Sequence, residues 1–297
     1  MAGDTESRVH RAGLAALLGP PNAGKSTLLN RLLGQKLAII SPKPQTTRSR
    51  ILGIQHLPHA QVLWVDTPGR HEGSRPLNKA LNDAVEEAAR DCDVGLLLVD
   101  PGQGWSEVHE ALLAILVERR VPAIGVATQA DRPGRPAQWP AAVEGALDST
   151  HRISARTGEG VDGLVAAVSS RLPESPPLYP DDALTDRPLR WLVAELVREA
   201  AMGELAQELP YSIAVEVTRF DESRADRVHI DANILVIRDS QKRIVVGKGG
   251  EVVKRISMAA RAQVQELVGV PVGLRLFVKI DPDWLRKPRR ISGLGYS

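Results

Sequence analysis

Eight consecutive residues near the start of the chain, Gly19–Ser26, have the types and spacing of a phosphate-binding loop. Glycines let the backbone wrap around phosphate oxygens, and the positive end of a following helix adds to the attraction. Lys25 would place a charge near the β- and γ-phosphates, and Ser26 would supply a hydroxyl to Mg²⁺. The predicted loop residues are Gly19, Pro20, Pro21, Asn22, Ala23, Gly24, Lys25 and Ser26.

Three further segments carry small or polar residues directly after apolar runs. Asp66 would reach the Mg²⁺ shell, and the backbone of Gly69 would approach the γ-phosphate. The other two segments begin at Thr128 and Ser154. Ligands of an open parallel sheet bind at the carboxyl ends of its strands, so all three segments are predicted to line one site. Their predicted nucleotide-binding residues are Asp66, Thr67, Pro68, Gly69, Thr128, Gln129, Ala130, Asp131, Ser154 and Ala155.

The elements that position these residues follow from the hydrophobic pattern. Short apolar runs alternate with helical periodicity, which is typical of a mostly parallel sheet with helices on both faces. The predicted strands are Leu14–Leu18, Gln61–Val65, Val94–Val99 and Ala123–Ala127, and the predicted helices are Lys25–Leu33, Leu77–Ala89 and Val108–Val117.

A proline-rich stretch separates this α/β region from a second pattern. Between Leu172 and Asp182 four prolines interrupt all periodicity, which predicts a linker. A helix from Pro188 to Leu205 is then followed by alternating strand patterns and a further helix, as in a smaller α+β domain. The expected organisation is a first domain at residues 8–174, a linker at 175–187 and a second domain at 188–297.

A second glycine-rich loop, Gly247–Gly250, opens a helix in the second domain. It follows a predicted strand at Arg243–Val246, and apolar residues recur at three- and four-residue spacing after it, which is the signature of a KH domain. Such a loop lets the backbone approach a sugar-phosphate chain, while the helix N-terminus and nearby cations attract it. The predicted RNA-binding residues are Arg243, Gly247, Lys248, Gly249, Gly250, Lys254 and Arg255.

Charge is segregated along the chain, although the formal net charge is only +2. Residues 238–297 hold 13 Lys and Arg against 5 Asp and Glu, and the remainder is mildly acidic. A basic region of this kind favours a polyanionic partner, either a nucleic acid or an anionic membrane surface. An ordinary solvated basic face is the simpler alternative.

The composition excludes several classes of protein. Hydrophobic residues at 43% and charged residues at 25% are normal globular usage, which argues against disorder. Cys92 is the single cysteine, so no intramolecular disulfide can form, and a reducing cytoplasm fits best. The apolar run Val94–Val99 is far too short to cross a bilayer, and the polar N-terminus does not resemble a secretion signal. A cytoplasmic protein is therefore expected.

In their order, the nucleotide-site segments resemble the G domain of translation-factor-type GTPases, and the details resemble the Era family of bacterial GTPases. Gln45–Arg48 is similar to the Era effector loop, and Leu209–Ser212 and Leu294–Tyr296 are also similar to Era segments. The resemblance implies a P-loop GTPase domain followed by a type II KH domain, with Mg²⁺ as cofactor. It also implies GTP and GDP as ligands, 16S rRNA and the small ribosomal subunit as partners, a monomeric chain, and peripheral association with the cell membrane.

The same resemblance assigns roles to individual residues. Thr47, or Thr46 as the less favoured alternative, would close on Mg²⁺ and the γ-phosphate in the GTP state and release after hydrolysis. The implied catalytic residues are Lys25, Thr47 and Gly69, and the implied metal ligands are Ser26, Thr47 and Asp66.

The base-recognition segment departs from the family pattern. Where the family has Asn-Lys-x-Asp, this chain has Thr128 and Gln129 in the first two positions and keeps only Asp131. Asp131 can accept hydrogen bonds from N1–H and N2–H₂ of guanine, which adenine cannot donate, so guanine preference should persist. The asparagine amide that would support the loop and the lysine stem that would lie along the base are both absent, so weaker nucleotide affinity is predicted.

The hydrolytic machinery departs from that of other GTPases as well. Arg70 and His71 stand where a water-orienting glutamine would follow Gly69, so slow intrinsic hydrolysis is expected. An asparagine at the place of Asn22 is linked to K⁺ in related GTPases, and the resemblance extends that role to this chain. A loop histidine without a role is favoured for His71 over a general base.

Two rival functions stay open. The altered segment at Thr128 and Gln129 would suit an RNA-binding assembly chaperone with a weakened nucleotide site. The basic run Arg286–Arg290 would suit a membrane-surface GTPase, because it could bind either phosphate or anionic lipid.

Overall fold

The structure is a computed structural model that describes residues 9–41, 43, 46–69, 76–132, 139–140, 143 and 145–296. The chain divides into two compact units. The first unit comprises Met1–Ala38, Arg50–His71 and Asn82–Asp186, and the second comprises Ile39–Ser49, Glu72–Leu81 and Arg187–Ser297. Gln45, Arg70 and His71 lie outside the described residues.

The first unit is built on a six-stranded sheet in the order β2-β3-β1-β4-β5-β6. All neighbouring strands are parallel except the edge pair of β2 and β3, which is antiparallel. The strands are β1 (Arg11–Leu18), β2 (Ile51–Leu57), β3 (Ala60–Asp66), β4 (Val94–Val99), β5 (Ala123–Ala127) and β6 (Ser149–Arg152). The helices of this part of the chain are α1 (Lys25–Leu33), α2 (Pro76–Asp91), α3 (Glu107–Arg119) and α4 (Val161–Ser169).

The central strands and the first helices agree with their predicted positions because their patterns are unambiguous. Every residue of β4 and of β5 is buried, as expected for parallel strands covered on both faces. Val85 on α2 and Leu112 on α3 belong to the same apolar cluster as Leu97 of β4. Strand β2 was not predicted from the sequence, because Gln55 and His56 interrupt its apolar pattern.

Residues 175–186, which were predicted to form a linker, group with the first unit. The Gln61 side-chain oxygen accepts hydrogen bonds from the amides of Leu178 and Tyr179, at 2.7 and 2.9 Å. The amide of Ile54 donates to the Leu184 carbonyl at 2.8 Å. This extended segment therefore satisfies its backbone against β2 and β3, which local composition does not reveal.

The second unit is a smaller α+β fold with a three-stranded sheet in the order β7-β8-β9. Strands β7 and β8 are antiparallel, and β8 and β9 are parallel. The strands are β7 (Ala214–Arg224), β8 (Arg227–Val236) and β9 (Val272–Ile280), and the helices are α5 (Leu189–Glu204), α6 (Asp239–Val246), α7 (Glu251–Val268) and α8 (Pro288–Gly293). No helix in the described part of the chain is long and apolar enough to span a bilayer.

The segment Arg243–Val246, predicted as a strand, is instead the last part of helix α6. The Gln241 side chain accepts hydrogen bonds from the amides of Ile237 and Arg238, at 2.9 and 3.3 Å, and so caps the helix N-terminus. Val245 alone is fully buried in this segment. The capped start and the single buried residue, Val245, are compatible with a helix, although the β-branched run by itself favours a strand.

Candidate functional site

The phosphate-binding loop has backbone conformations that its glycines make accessible. Gly19 has φ +144°, and a Cβ there would lie 2.7 Å from the Leu98 carbonyl oxygen. Gly24 has φ +96° immediately before α1 begins at Lys25, and Asn22 has φ 62°. The loop therefore closes tightly and presents backbone N–H groups ahead of a helix N-terminus, the arrangement that binds phosphate.

Lys25 and Asp66 form the buried charged centre of this loop, where both side chains are almost fully enclosed. The Lys25 Nζ donates to the carbonyl oxygens of Gly19 and Pro20, at 2.9 and 2.7 Å. Burial lowers the pKa of Lys25 to about 8, although the charge of Asp66 opposes the shift. Burial also raises the pKa of Asp66 to about 6, against the hydrogen bond from Ser26 and the charge of Lys25.

The residues predicted to hold Mg²⁺ from this unit lie together. Ser26 Oγ donates to Asp66 Oδ2 at 2.7 Å. The other carboxylate oxygen of Asp66, Oδ1, is buried and has no hydrogen-bond partner among the described residues. A half-buried hydroxyl and an unpaired, buried carboxylate oxygen are the hard oxygen donors that Mg²⁺ prefers, so the site fits this ion.

The segment after Asp66 contacts the phosphate-binding loop directly. A Cβ on Gly69 would lie 2.6 Å from the backbone nitrogen of Pro21. Thr67 Oγ1 donates to the Leu17 carbonyl at 2.7 Å and is buried. The close approach places the Gly69 backbone against the phosphate-binding loop and leaves no space for a side chain.

The two altered residues of the base-recognition segment, Thr128 and Gln129, form hydrogen bonds with neighbouring protein groups. Thr128 Oγ1 donates to the Val99 carbonyl at 3.2 Å, and Gln129, with φ 59°, donates from Nε2 to Asp100 Oδ2 at 3.0 Å. Asp131 accepts a hydrogen bond from Ser154 Oγ at 2.7 Å. The structure thus brings the segments after β5 and β6 together, as predicted from their positions at strand ends.

The predicted effector segment groups with the second unit. Thr46 Oγ1 donates to the Lys43 carbonyl at 2.6 Å, and its own carbonyl accepts a hydrogen bond from Arg198. Thr47 is half-buried.

Arg48 is fully buried in the second unit, which the sequence reasoning did not foresee. Its guanidinium donates to the carbonyls of Ile213 at 2.6 Å and of Pro210 and Tyr211, both at 3.1 Å. Burial and the neighbouring charge of Arg198 lower the pKa of Arg48 to about 10. The available sequence signal was the match of both Gln45–Arg48 and Leu209–Ser212 to one family, because these two segments meet here.

The glycine-rich loop of the second unit connects α6 to α7 through a short 3₁₀ turn. Gly247 has φ +76°, and a Cβ there would lie 2.5 Å from a methyl carbon of Val252. Gly249 and Gly250 also have positive φ, at +61° and +83°, with open space around both positions. The loop therefore exposes its backbone, as RNA binding by a KH domain requires.

The four cations predicted to contact RNA near this loop differ in whether they form an ion pair. Lys248 and Lys254 are exposed. Arg243 forms an ion pair with Asp239 at 2.8 Å, and Arg255 forms one with Glu204 at 2.7 Å. All four cations lie at the surface, and the two arginines would exchange a carboxylate for a phosphate on binding.

Comparisons with known proteins divide the chain in the same way. A family model described as a 50S ribosome-binding GTPase matches residues 14–129, and one described as a KH domain matches residues 208–285. GTPase Era of Geobacter metallireducens is 41% identical over 292 residues, which is 97% of this chain and 98% of that protein. GTPase Era of Pseudomonas fluorescens is 40% identical over 298 residues, which is 98% of this chain and 99% of that protein.

Solved structures give the same result. A crystal structure of Era in complex with MgGDPNP and nucleotides 1506–1542 of 16S ribosomal RNA matches with a TM-score of 0.90 and 37% identity, covering 97% of this chain and 99% of that one. A variant of Aquifex aeolicus Era bound to GDP·AlF₄⁻ matches with a TM-score of 0.90 and 36% identity, covering 97% of this chain and 99% of that one. The predicted fold class, a P-loop GTPase domain followed by a KH domain, is confirmed.

Proposed function

Because the chain belongs to the Era family of GTPases, we propose that it binds GTP and GDP with Mg²⁺, hydrolyses GTP, and binds 16S rRNA through its KH domain. Its role is to assist 16S rRNA processing and assembly of the small ribosomal subunit. One observation carries the proposal: a single chain combines the buried Lys25–Asp66 centre of a phosphate-binding loop with the exposed Gly247–Gly250 loop of a KH fold.

Each residue at the nucleotide site has a role in this proposal. The phosphates bind to the backbone N–H groups of the loop, and Lys25 turns from the loop carbonyls to the β- and γ-phosphate oxygens. Ser26 and Asp66 would hold Mg²⁺, and the ion would supply positive charge against the β- and γ-phosphates. Among the described residues Asp66 Oδ1 has no hydrogen-bond partner, which suits a carboxylate that would bind a cation.

Hydrolysis is the attack of water on the γ-phosphorus, with cleavage of its bond to the bridging oxygen and release of GDP and phosphate. The absence of a glutamine directly after Gly69 leaves the positive charges around the phosphates as the main catalytic factor. Asn22, in its left-handed conformation at the loop, is proposed to help hold K⁺ as an additional charge. Turnover should therefore be faster in KCl than in NaCl, and this difference should disappear in Asn22→Ala.

Nucleotide and RNA binding are proposed to be linked through the effector segment. Thr47 lies between Thr46, whose carbonyl is held by Arg198, and the buried Arg48. If Thr47 binds the γ-phosphate, its neighbours Thr46 and Arg48 would have to shift or lose these contacts in the second unit. That unit also contains the RNA-binding loop. If GTP strengthens RNA binding by this route, RNA must strengthen GTP binding by the same factor.

The test is a comparison of GDP and ADP binding to the purified protein, with and without an RNA of 16S rRNA nucleotides 1506–1542. Selective GDP binding and RNA-dependent GTP affinity are expected. Phosphate release should be lost in Lys25→Ala and retained in Gly249→Asp, whereas RNA binding should be lost only in Gly249→Asp. Equal affinity for GDP and ADP would contradict the proposal.

Two alternatives are distinguished by the same material. The altered Thr128 and Gln129 are the reason to consider an RNA-binding chaperone with a weakened nucleotide site, which would bind the RNA fragment but release no phosphate. A membrane-surface GTPase would sediment with anionic liposomes in a salt-sensitive manner and would bind the RNA weakly.

A further inference from the structure

Asp131 is already oriented by the segment that follows β6. Ser154 Oγ donates to its Oδ1 at 2.7 Å, and the guanidinium of Arg156 forms an ion pair with its Oδ2 at 2.8 Å. A carboxylate has about four acceptor positions, and these two side chains occupy one on each oxygen. Guanine would donate one hydrogen bond to each oxygen, from N1–H and N2–H₂.

The backbone that carries Arg156 is fixed to helix α1. Arg31 Nε donates to the Ala155 carbonyl at 2.7 Å, and the Arg31 guanidinium also donates to the Arg156 carbonyl. The Arg156 side chain itself is 78% exposed beside the Asp131 carboxylate. An anchored backbone with an exposed, planar cation is suited to contact a flat aromatic ligand that binds at Asp131.

The position where the family has lysine cannot supply this cation. Gln129 is uncharged, and its amide is used by Asp100 at 3.0 Å. The hydrogen bond from Ser154 and, to a smaller extent, the Arg156 charge hold the pKa of Asp131 below its ordinary value, so the carboxylate stays charged. The base site thus has a cation, Arg156, which comes from the segment after β6. In the family pattern the cation is a lysine in the segment after β5, at the position of Gln129.

We propose that Arg156 is a specificity-determining residue of the guanine site, where it holds Asp131 toward the base and lays its guanidinium along the purine ring. This inference rests on the proposed binding of GTP and GDP. It assigns to Arg156 both functions of the absent lysine, a nearby positive charge and a surface for the base.

The test measures the Kd of GDP and of inosine diphosphate, which lacks the N2 amine, for the full chain and for Arg156→Gln and Arg156→Lys. We expect the GDP Kd to rise about tenfold in Arg156→Gln and the preference for GDP over inosine diphosphate to fall several-fold. Arg156→Lys should recover part of the GDP affinity and part of the preference for GDP, because lysine keeps the positive charge but lacks the planar guanidinium. The matched control is Arg90→Gln, which removes another exposed ion-paired arginine, bonded to Glu86 at 2.9 Å, and should change neither Kd.

The outcomes separate this inference from the function on which it rests. Asp131→Asn should exchange GDP for xanthosine diphosphate, because an amide donates where the carboxylate accepted. If that exchange occurs while Arg156→Gln binds GDP as tightly as the unmodified chain, or more tightly, the guanine site stands and the role of Arg156 is overturned. If the unmodified chain does not bind GDP, the proposed function itself fails.

Discussion

The guanidinium carbon of Arg48 lies 5.5 Å from the ring centre of Trp284, inside the second unit. Tyr296 lies on the same cation, at 5.7 Å from its ring centre, and Leu77 and Leu81 of α2 pack in the same apolar cluster as these two aromatic residues. The effector segment and the first turns of α2 are therefore part of the core of the second unit. Both segments lie next to sequence motifs predicted to sense the γ-phosphate.

Replacing Arg48 should destabilise the second unit. Burial disfavours its charge, but removing it leaves three carbonyl oxygens without their donor, at roughly 1 kcal/mol or more each. We expect Arg48→Met to lower the free energy of unfolding by about 3 kcal/mol in urea denaturation. Arg224→Met, which removes an exposed arginine paired with Asp226, should unfold at nearly the same urea concentration as the unmodified chain. Equal stability of both variants would contradict the prediction.

Asp66 should make the stability of the nucleotide-free protein depend on pH. Its folded pKa, about 6, lies above the ordinary value of 3.8, so protonation favours the folded state. Its contribution is fully present below pH 4, and about 3 kcal/mol is lost as the pH rises through 6. Asp66→Asn should therefore be more stable than the unmodified chain at pH 7, while Mg²⁺-dependent nucleotide binding is lost.

The measurement for Asp66 is urea unfolding from pH 4 to pH 7.5 without nucleotide, expressed as the difference between the variant and the unmodified chain. Asp83→Asn, at an exposed position on α2, provides a control that removes a carboxylate from the surface. A difference for Asp66→Asn that does not vary with pH would refute the assignment.

Gly69 should tolerate no side chain. A Cβ would meet the backbone nitrogen and Cα of Pro21 at 2.6 and 2.7 Å, and these atoms cannot move without deforming the phosphate-binding loop. We expect Gly69→Ala to weaken GDP binding at least tenfold, by roughly 1.4 kcal/mol or more, and to abolish phosphate release. Gly163→Ala lies in α4 with open space around it and should leave nucleotide binding intact. Normal GTP turnover by Gly69→Ala would show that the phosphate-binding loop can shift to accommodate the methyl group, and would contradict the prediction.

The glycines of the RNA-binding loop should differ in their sensitivity. Gly247→Ala combines a positive φ with a 2.5 Å approach to Val252, whereas Gly249→Ala has the φ strain alone, at about 1 kcal/mol. Gly269→Ala, at the end of α7, has φ +76° and open space, so it measures strain outside the loop. Fluorescence anisotropy with the rRNA fragment should show the largest loss of affinity for Gly247→Ala and none for Gly269→Ala.

Restoring the family residues in the base-recognition segment should tighten nucleotide binding. Thr128→Asn with Gln129→Lys supplies the amide that buttresses the loop and an aliphatic stem along the base. We expect a several-fold lower Kd for GDP in isothermal titration. An unchanged Kd would mean that the contacts of Thr128 with Val99 and of Gln129 with Asp100 already stabilise the loop fully.

The amino-acid sequence by itself determined the local features. The buried strands, the phosphate-binding loop and the helix after it were predicted because hydrophobic period and glycine spacing act within a few residues. The partnership of Ser26 and Asp66 followed as well, since adjacent parallel strands bring their carboxyl ends to one edge of the sheet.

Only the tertiary structure decided the features that depend on distant partners. Helix α6 replaced a predicted strand because its single buried residue, Val245, packs in a core that the β-branched run cannot indicate. Arg48 is polar and has no local partner, and its burial depends on carbonyls and rings more than 160 residues away. Arg156 likewise forms its ion pair with Asp131 only because β5 and β6, which precede the two residues, pair in the folded sheet.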